Sequence, residues 1–153
     1  MSSDCIIGPY FFEENVNSQN YLKMLKEFFW PQIQNMRRCK KFYFQQDGAP
    51  SHFGLNVRNW LDSKLPGRWI GRRGPIEWPA RSPDLTPLDF YLWGYLKKKV
   101  YQKNHATISE LCDSIRSNIQ SIKPDVLKGV FLSIPKRLEK VIEVNGRHIE
   151  GVI

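Results

Sequence analysis

The hydrophobic pattern of this chain switches between a helical and a strand rhythm. In residues 18–30, Tyr21, Leu22, Leu25, Phe28 and Phe29 fall on one face of a helix. Pro31 is expected to end or kink that helix, since proline lacks the N–H that the next turn needs. The same 3.6-residue period returns in residues 107–122, through Ile108, Leu111, Cys112, Ile115, Ile119 and Ile122. Short β-prone runs punctuate the first half. Residues 5–12 (CIIGPYFF) predict an extended strand interrupted at Gly8-Pro9, and residues 41–46 (KFYFQQ) predict a second. Residues 76–78 predict a short third strand.

Breakers set the remaining boundaries. Gly48-Ala49-Pro50 closes the second strand, and Ser51 is placed to cap a helix running to about Leu65, which Pro66-Gly67 stops. Residues 68–74 (RWIGRRG) read as a hairpin or basic loop, and residues 80–87 as an ordered turn. Residues 88–101 read as a helix. Pro124 opens a last helix, kinked near Pro135 and ended by Asn145-Gly146 near residue 144. The order β-α-β-α-(β)-α-α-α indicates an α/β layer followed by a helical C-terminus.

Composition narrows the class. The 153 residues suit one domain with one sizeable core. With 41% hydrophobic and 13% aromatic residues the chain is too apolar to be disordered. The net charge of +8 favours an acidic partner such as nucleic acid. Cys5, Cys39 and Cys112 are odd in number and lack a CxxC spacing, which argues against a disulfide scaffold or zinc ribbon and for a reducing compartment. No apolar run reaches membrane-spanning length, and the first residues lack signal-peptide character.

Two aspartates then stand out. Asp47 directly follows the strand of residues 41–46, and Asp89 lies at the start of the helix of residues 88–101. Strand ends and helix starts are where α/β folds present ligands, and paired carboxylates there hold divalent metal for phosphoryl transfer. Each also has a plain structural reading. Asp-Gly is a strong turn signal, and Thr86-Pro87-Leu88-Asp89 fits a capping box. Asp84, in SPDL, competes for the metal role but suits a turn or cap better. His52, five residues beyond Asp47, would reach a phosphate or a metal, or simply bond locally at a helix start. Arg68, Arg72 and Arg73, with Arg81 nearby, would contact phosphates or form a solvated loop. Lys97, Lys98 and Lys99 wind around a helix and read as a solvated face, and Trp60, Trp78 and Trp93 as core.

The blocks IIGPYFFEENVNSQNYLKMLKEFFWPQI, QQDGAPSH, WPARSPDLTPLDFYLWGYLKKKVY and RLEKVIEVNGRHIE together resemble the mariner branch of the Tc1/mariner transposases. The resemblance covers nearly the whole chain, and WPARSPDLTPLDF is its most specific stretch. It implies an RNase H-like fold with a three-carboxylate site, two Mg2+ (or Mn2+) ions, double-stranded DNA as partner, a transposase homodimer and a nuclear location without membrane association. Under it Asp47 looks like the second catalytic aspartate and Asp89 the third, both metal ligands. The 41 residues between them exceed the spacing of many mariner enzymes, and RWIGRRG is where the extra length falls. The first catalytic aspartate, the first strands and the helix-turn-helix reader have no counterpart in these residues, and Glu13 and Glu14 are the acids nearest to replacing that aspartate. The expectation is therefore an N-terminally truncated, incomplete RNase H-like catalytic domain, with a partial core at 1–104 and a helical part at 105–153. It would be inactive alone. The alternatives are a non-catalytic basic module that binds DNA or a transposase, and a remnant that barely folds.

Overall fold

A computed structural model of the protein describes residues 1–36, 42–79 and 82–149. The chain divides into two compact units, one formed by residues 10–81 and the other by residues 1–9 with 82–153.

In the unit of residues 10–81, helix α1 runs continuously through residues 18–35. It is α-helical at Ser18–Met24, opens into a π-helical turn at Leu25–Phe29, and is α-helical again at Trp30–Asn35. Asn17 caps it, its side chain accepting the N–H groups of Gln19 and Asn20 while Asn20 Oδ1 accepts the Asn17 N–H. Pro31 does not end this helix. A proline ring collides with the carbonyl four residues earlier; here the preceding turn is widened, with the Trp30 N–H bonded to the Leu25 carbonyl, so the helix passes through the proline.

A three-stranded parallel sheet follows, ordered β1 (Phe44–Gln45), β2 (Trp69–Gly71), β3 (Ile76–Glu77). Phe44 pairs with Trp69 and Gln45 with Ile70, and helix α2 (Leu55–Lys64) makes the crossover between these two parallel strands. Its start lies later than Ser51 predicts. Gly54 is the cap, because residues 49–53 form a separate turn in which the N–H groups of His52 and Phe53 return to the Ala49 carbonyl. The helix stops as expected, with Gly67 in the left-handed region at φ 69°. Residues 68–74 are not a hairpin. Ile70 and Ile76 pair in parallel across a four-residue turn, 72–75, in which Arg73 takes φ 56°. Residues 5–12 form no strand; β1, β2 and β3 make up the sheet among the described residues.

The core of this unit joins α1, α2 and β2 through Tyr21, Leu25, Val57, Trp60, Leu61, Leu65 and Trp69. Trp69 is fully buried and donates its indole N–H to Asp62 Oδ1 at 2.8 Å, which satisfies the one polar atom that burial would otherwise strand.

In the other unit, a 3₁₀ turn (Pro83–Leu85) leads into α3, residues 88–100, which is π-helical at Leu88–Trp93 and α-helical at Gly94–Val100. Helix α4 (Ile108–Gln120), capped by Thr107, packs Ile119 against Leu92 and Leu96 of α3. The predicted last helix is two, α5 (Pro124–Leu132) and α6 (Ile134–Glu143), which meet at Ser133 rather than bending at Pro135. Proline is tolerated at the start of a helix, and Pro135 occupies the first turn of α6. Asn145 and Gly146, both at positive φ, end it as expected. Trp60 is core, but Trp93 is exposed, as is Ile108 at the head of the α4 stripe.

Candidate metal and nucleic-acid site

Asp47 stands at the carboxyl end of β1, where the sequence places it. The ladder persists one residue beyond the strand, with the Gln46 N–H bonded to the Ile70 carbonyl at 2.9 Å, and the chain then turns. Asp47 Oδ1 accepts the Ala49 N–H at 3.0 Å, so the turn reading of Asp-Gly holds. The same oxygen lies 2.6 Å from His52 Nδ1. An ionised carboxylate only accepts, so the proton of this bond sits on Nδ1 and leaves Nε2 for another group. The His52 bond holds the Asp47 carboxyl below its ordinary value; partial burial opposes this, and the Ala49 N–H and the histidine charge reinforce it. Asp47 is thus held as an anion, half-exposed, without losing its access to solvent.

The residues that fix this geometry are ones the motif reading passed over. Gln46 is buried, and its amide N–H donates to the His52 carbonyl at 3.0 Å. Its amide oxygen accepts the buried Tyr21 hydroxyl at 3.2 Å, and the Tyr21 ring lies against the His52 imidazole at 4.2 Å. Burial, and after it the Asp47 charge, pushes the Tyr21 phenol well above its ordinary value, so it stays a neutral donor. A clue was present in sequence, since Tyr21 belongs to the apolar face of α1 and Gln46 directly precedes the aspartate. What it lacked was the partner of each.

Asp89 lies in the first turn of α3, with its N–H and that of Phe90 both bonded to the Thr86 carbonyl. The Thr86 hydroxyl donates to the Ser82 carbonyl at 3.2 Å. Asp47 belongs to the unit of residues 10–81 and Asp89 to the other. Asp84 has a third fate. It is buried, and its Oδ2 accepts the N–H of the fully buried Ile149 at 2.8 Å, with His148 Nδ1 at 3.3 Å from both oxygens. Arg137 donates to the Asp84 carbonyl at 3.0 Å and stacks on Phe90 at 3.9 Å. Asp84 therefore anchors residues 148–149, an architectural use of a carboxylate that the turn reading did not foresee.

Among the predicted basic residues, Arg72 and Arg73 occupy the turn after β2, and their guanidinium carbons lie 4.4 and 5.4 Å from the centre of the Phe53 ring. Arg58 of α2, not picked out in sequence, lies 4.9 Å from the same centre. Arg68 leads into β2, where its carbonyl accepts the Phe44 N–H. Arg81 falls outside the described residues. Among the described residues no group of three or more histidine, cysteine, aspartate or glutamate side chains is gathered in a way that could hold a metal. No helix among them is long and apolar enough to cross a membrane.

The known proteins that this chain resembles are transposases. The chain is 32% identical over 141 residues to the Tc3 transposase of Caenorhabditis elegans, a match covering 91% of this chain and 40% of that protein. It is 29% identical over 114 residues to the Tc1 transposase of the same organism, covering 74% and 38%. The chain therefore spans well under half the length of these relatives. No protein-family model matches it. Its fold is that of the catalytic domain of the Mos1 mariner transposase, with a TM-score of 0.81 at 20% identity over 95% of this chain and 71% of that one. It superposes similarly, with a TM-score of 0.82 at 19% identity, on a Mos1 paired-end complex with Mn, covering 95% of this chain and 42% of that one.

Proposed function

Because this chain is a homologue of the Tc1/mariner transposases, with their RNase H-like fold and a helical C-terminus, we propose that it is part of a catalytic domain that cuts and joins transposon DNA. The observation that carries the reading is the anionic Asp47 at the end of β1, held by His52 and the Ala49 N–H.

The residues fit a divalent metal at that point. Asp47 is ionised and half-exposed, and hard cations take carboxylate oxygen. Asp47 and Asp89 would be metal ligands, for Mg2+ or Mn2+, and as in two-metal phosphoryl transfer the full enzyme would use two ions. When bound, such ions polarise phosphoryl oxygens and lower the pKa of attacking water. The chain's own contribution is to orient: Gln46 and Tyr21 fix the His52 backbone and ring, and His52 turns the Asp47 carboxylate. The proposed ligands Asp47 and Asp89 are two carboxylates where the family resemblance calls for three, so the chain is expected not to cleave DNA alone. Solved Mos1 structures include Mn and Mg forms and complexes with transposon ends. The proposed partner is double-stranded DNA, with a transposase homodimer and the nucleus as the proposed setting.

The test is Mn2+ titration of the purified chain, followed by electron paramagnetic resonance of the free ion. Binding that Asp47→Asn and Asp89→Asn each weaken is expected, by more than the roughly tenfold that losing even an outer-shell partner costs a metal site. Mn2+ binding indifferent to both substitutions would overturn the assignment.

A further inference from the structure

The Phe53 ring gathers the guanidinium groups of Arg58, Arg72 and Arg73, all within 5.4 Å of its centre. They come from two places: Arg58 from α2, and the adjacent Arg72 and Arg73 from the turn after β2. Like charges brought this close repel, and among the described residues none of the three guanidinium groups forms an ion pair with a carboxylate. The nearby acid, Glu77, is bonded to the Arg73 backbone N–H at 2.9 Å. The Arg58 Nε–H is fixed on the Phe53 carbonyl at 3.3 Å, which orients its fork, and the ring face offsets part of the repulsion. Arg72 also passes over Gly48, where a Cβ would stand 3.8 Å from its Cδ, so the cluster adjoins the Asp47 turn.

We infer that Phe53, Arg58, Arg72 and Arg73 form a seat for the phosphodiester backbone of DNA beside Asp47. Planar guanidinium forks match phosphate oxygens in pairs, and a ring that holds their planes in place lowers the entropy lost on binding. The seat contacts phosphate and reads no base, so it serves register and position rather than sequence. Two of its arginines are conspicuous in sequence; the ring and the helical arginine that complete it are not. The inference takes the identity of the anion from the transposase reading above, but not the metal site.

The experiment measures binding of a random-sequence, fluorescein-labelled DNA duplex to the whole chain across a salt series. Arg58→Gln is expected to weaken binding roughly tenfold and to lower the salt slope by about one. Lys98→Gln, which removes the same charge from the exposed side of α3, is expected to have a much smaller effect. Arg58→Lys keeps the charge but loses the fork, and Phe53→Leu keeps every charge but loses the ring; both are expected to bind like Arg58→Gln. Circular dichroism checks that each variant is folded, and Arg58→Lys decides the matter if Phe53→Leu is not. The inference is overturned if Arg58→Gln matches Lys98→Gln, or if Arg58→Lys binds as the unsubstituted chain does. Mn2+ titration of the same proteins separates the two ideas. Altered DNA binding with no Asp47-dependent Mn2+ binding leaves the seat standing without the catalytic reading, and the reverse leaves the catalytic reading without the seat.

Discussion

At Asp47 the chemistry of a turn coincides with that of the proposed metal site. Its Oδ1 closes the turn on the Ala49 N–H and takes the His52 bond, and both favour the anion. A carboxyl whose folded value is depressed adds stability that is fully present above its unfolded value, near 3.8, and is lost as pH falls through the lower folded value. Asp47→Asn should therefore be less stable than the parent at pH 7, by about 0.5 kcal/mol given the exposure of the group. The gap should close once the pH is well below 3.8, where the parent carboxyl is protonated too. Urea unfolding at pH 7 and at low pH checks this, and a gap that widens on acidification would contradict it. Tyr21 makes a second case. Tyr21→Phe removes the donor to the buried Gln46 amide oxygen and keeps the ring, so the expected loss is about 1–3 kcal/mol, the cost of stranding a buried acceptor. Denaturant midpoints measure it, and histidine NMR would show the His52 ring shifting, as its neighbour moves.

At the scale of elements, α1 and α2 meet at Gly54, whose need for glycine is one of space rather than of dihedral angle. Its φ is −51°, but a Cβ there would stand 2.4 Å from the Ser18 Cβ and 2.6 Å from Asn56 Oδ1. The Asn56 side chain donates to the Ser18 carbonyl at 3.1 Å, so the two helix starts are bonded across this gap. Gly54→Ala should force them apart at a cost of about 1–3 kcal/mol, as overpacking does. Thermal unfolding would register it. An unchanged or raised midpoint would show that the helices give way without loss. The continuity of α1 through Pro31 belongs to this scale as well, since a widened turn makes room for a ring that an ordinary turn rejects.

For the whole molecule, charge and fold make separate statements. On the proposed reading a chain of +8 net charge would bind DNA through counterion release, so affinity for duplex DNA should fall steeply with salt and show no preference among sequences. Cleavage is another matter. On the proposed reading Asp47 and Asp89 are two carboxylates where a two-metal site of this kind calls for three, so the chain incubated with supercoiled DNA and Mg2+ or Mn2+ is expected to leave it unnicked. Nicking that Asp47→Ala abolishes would show a complete site; binding unaffected by salt would remove the electrostatic account.

The sequence by itself determined the periodic elements and the position of the key carboxylate. The stripes of α1 and α4 and the caps and breakers around α2 and α3 are local signals, although Pro31 does not end α1 and Gly54 rather than Ser51 caps α2. Asp47 at a strand end followed from the KFYFQQ run and the Asp-Gly turn, and the block around Asp89 carried the family resemblance. No strand forms in residues 5–12, since a β-prone run does not by itself specify which ladder it would join. Residues 68–74 read as a hairpin or basic loop, and a basic turn does stand at 72–75, while the register that makes β2 and β3 parallel is a tertiary choice. Burial of the Asp84 carboxylate against Ile149, 65 residues away, left no local trace. The same is true of the Tyr21–Gln46–His52 bonds and of the three arginines around Phe53. Those arrangements depend on distances between residues remote in the chain, which only packing sets.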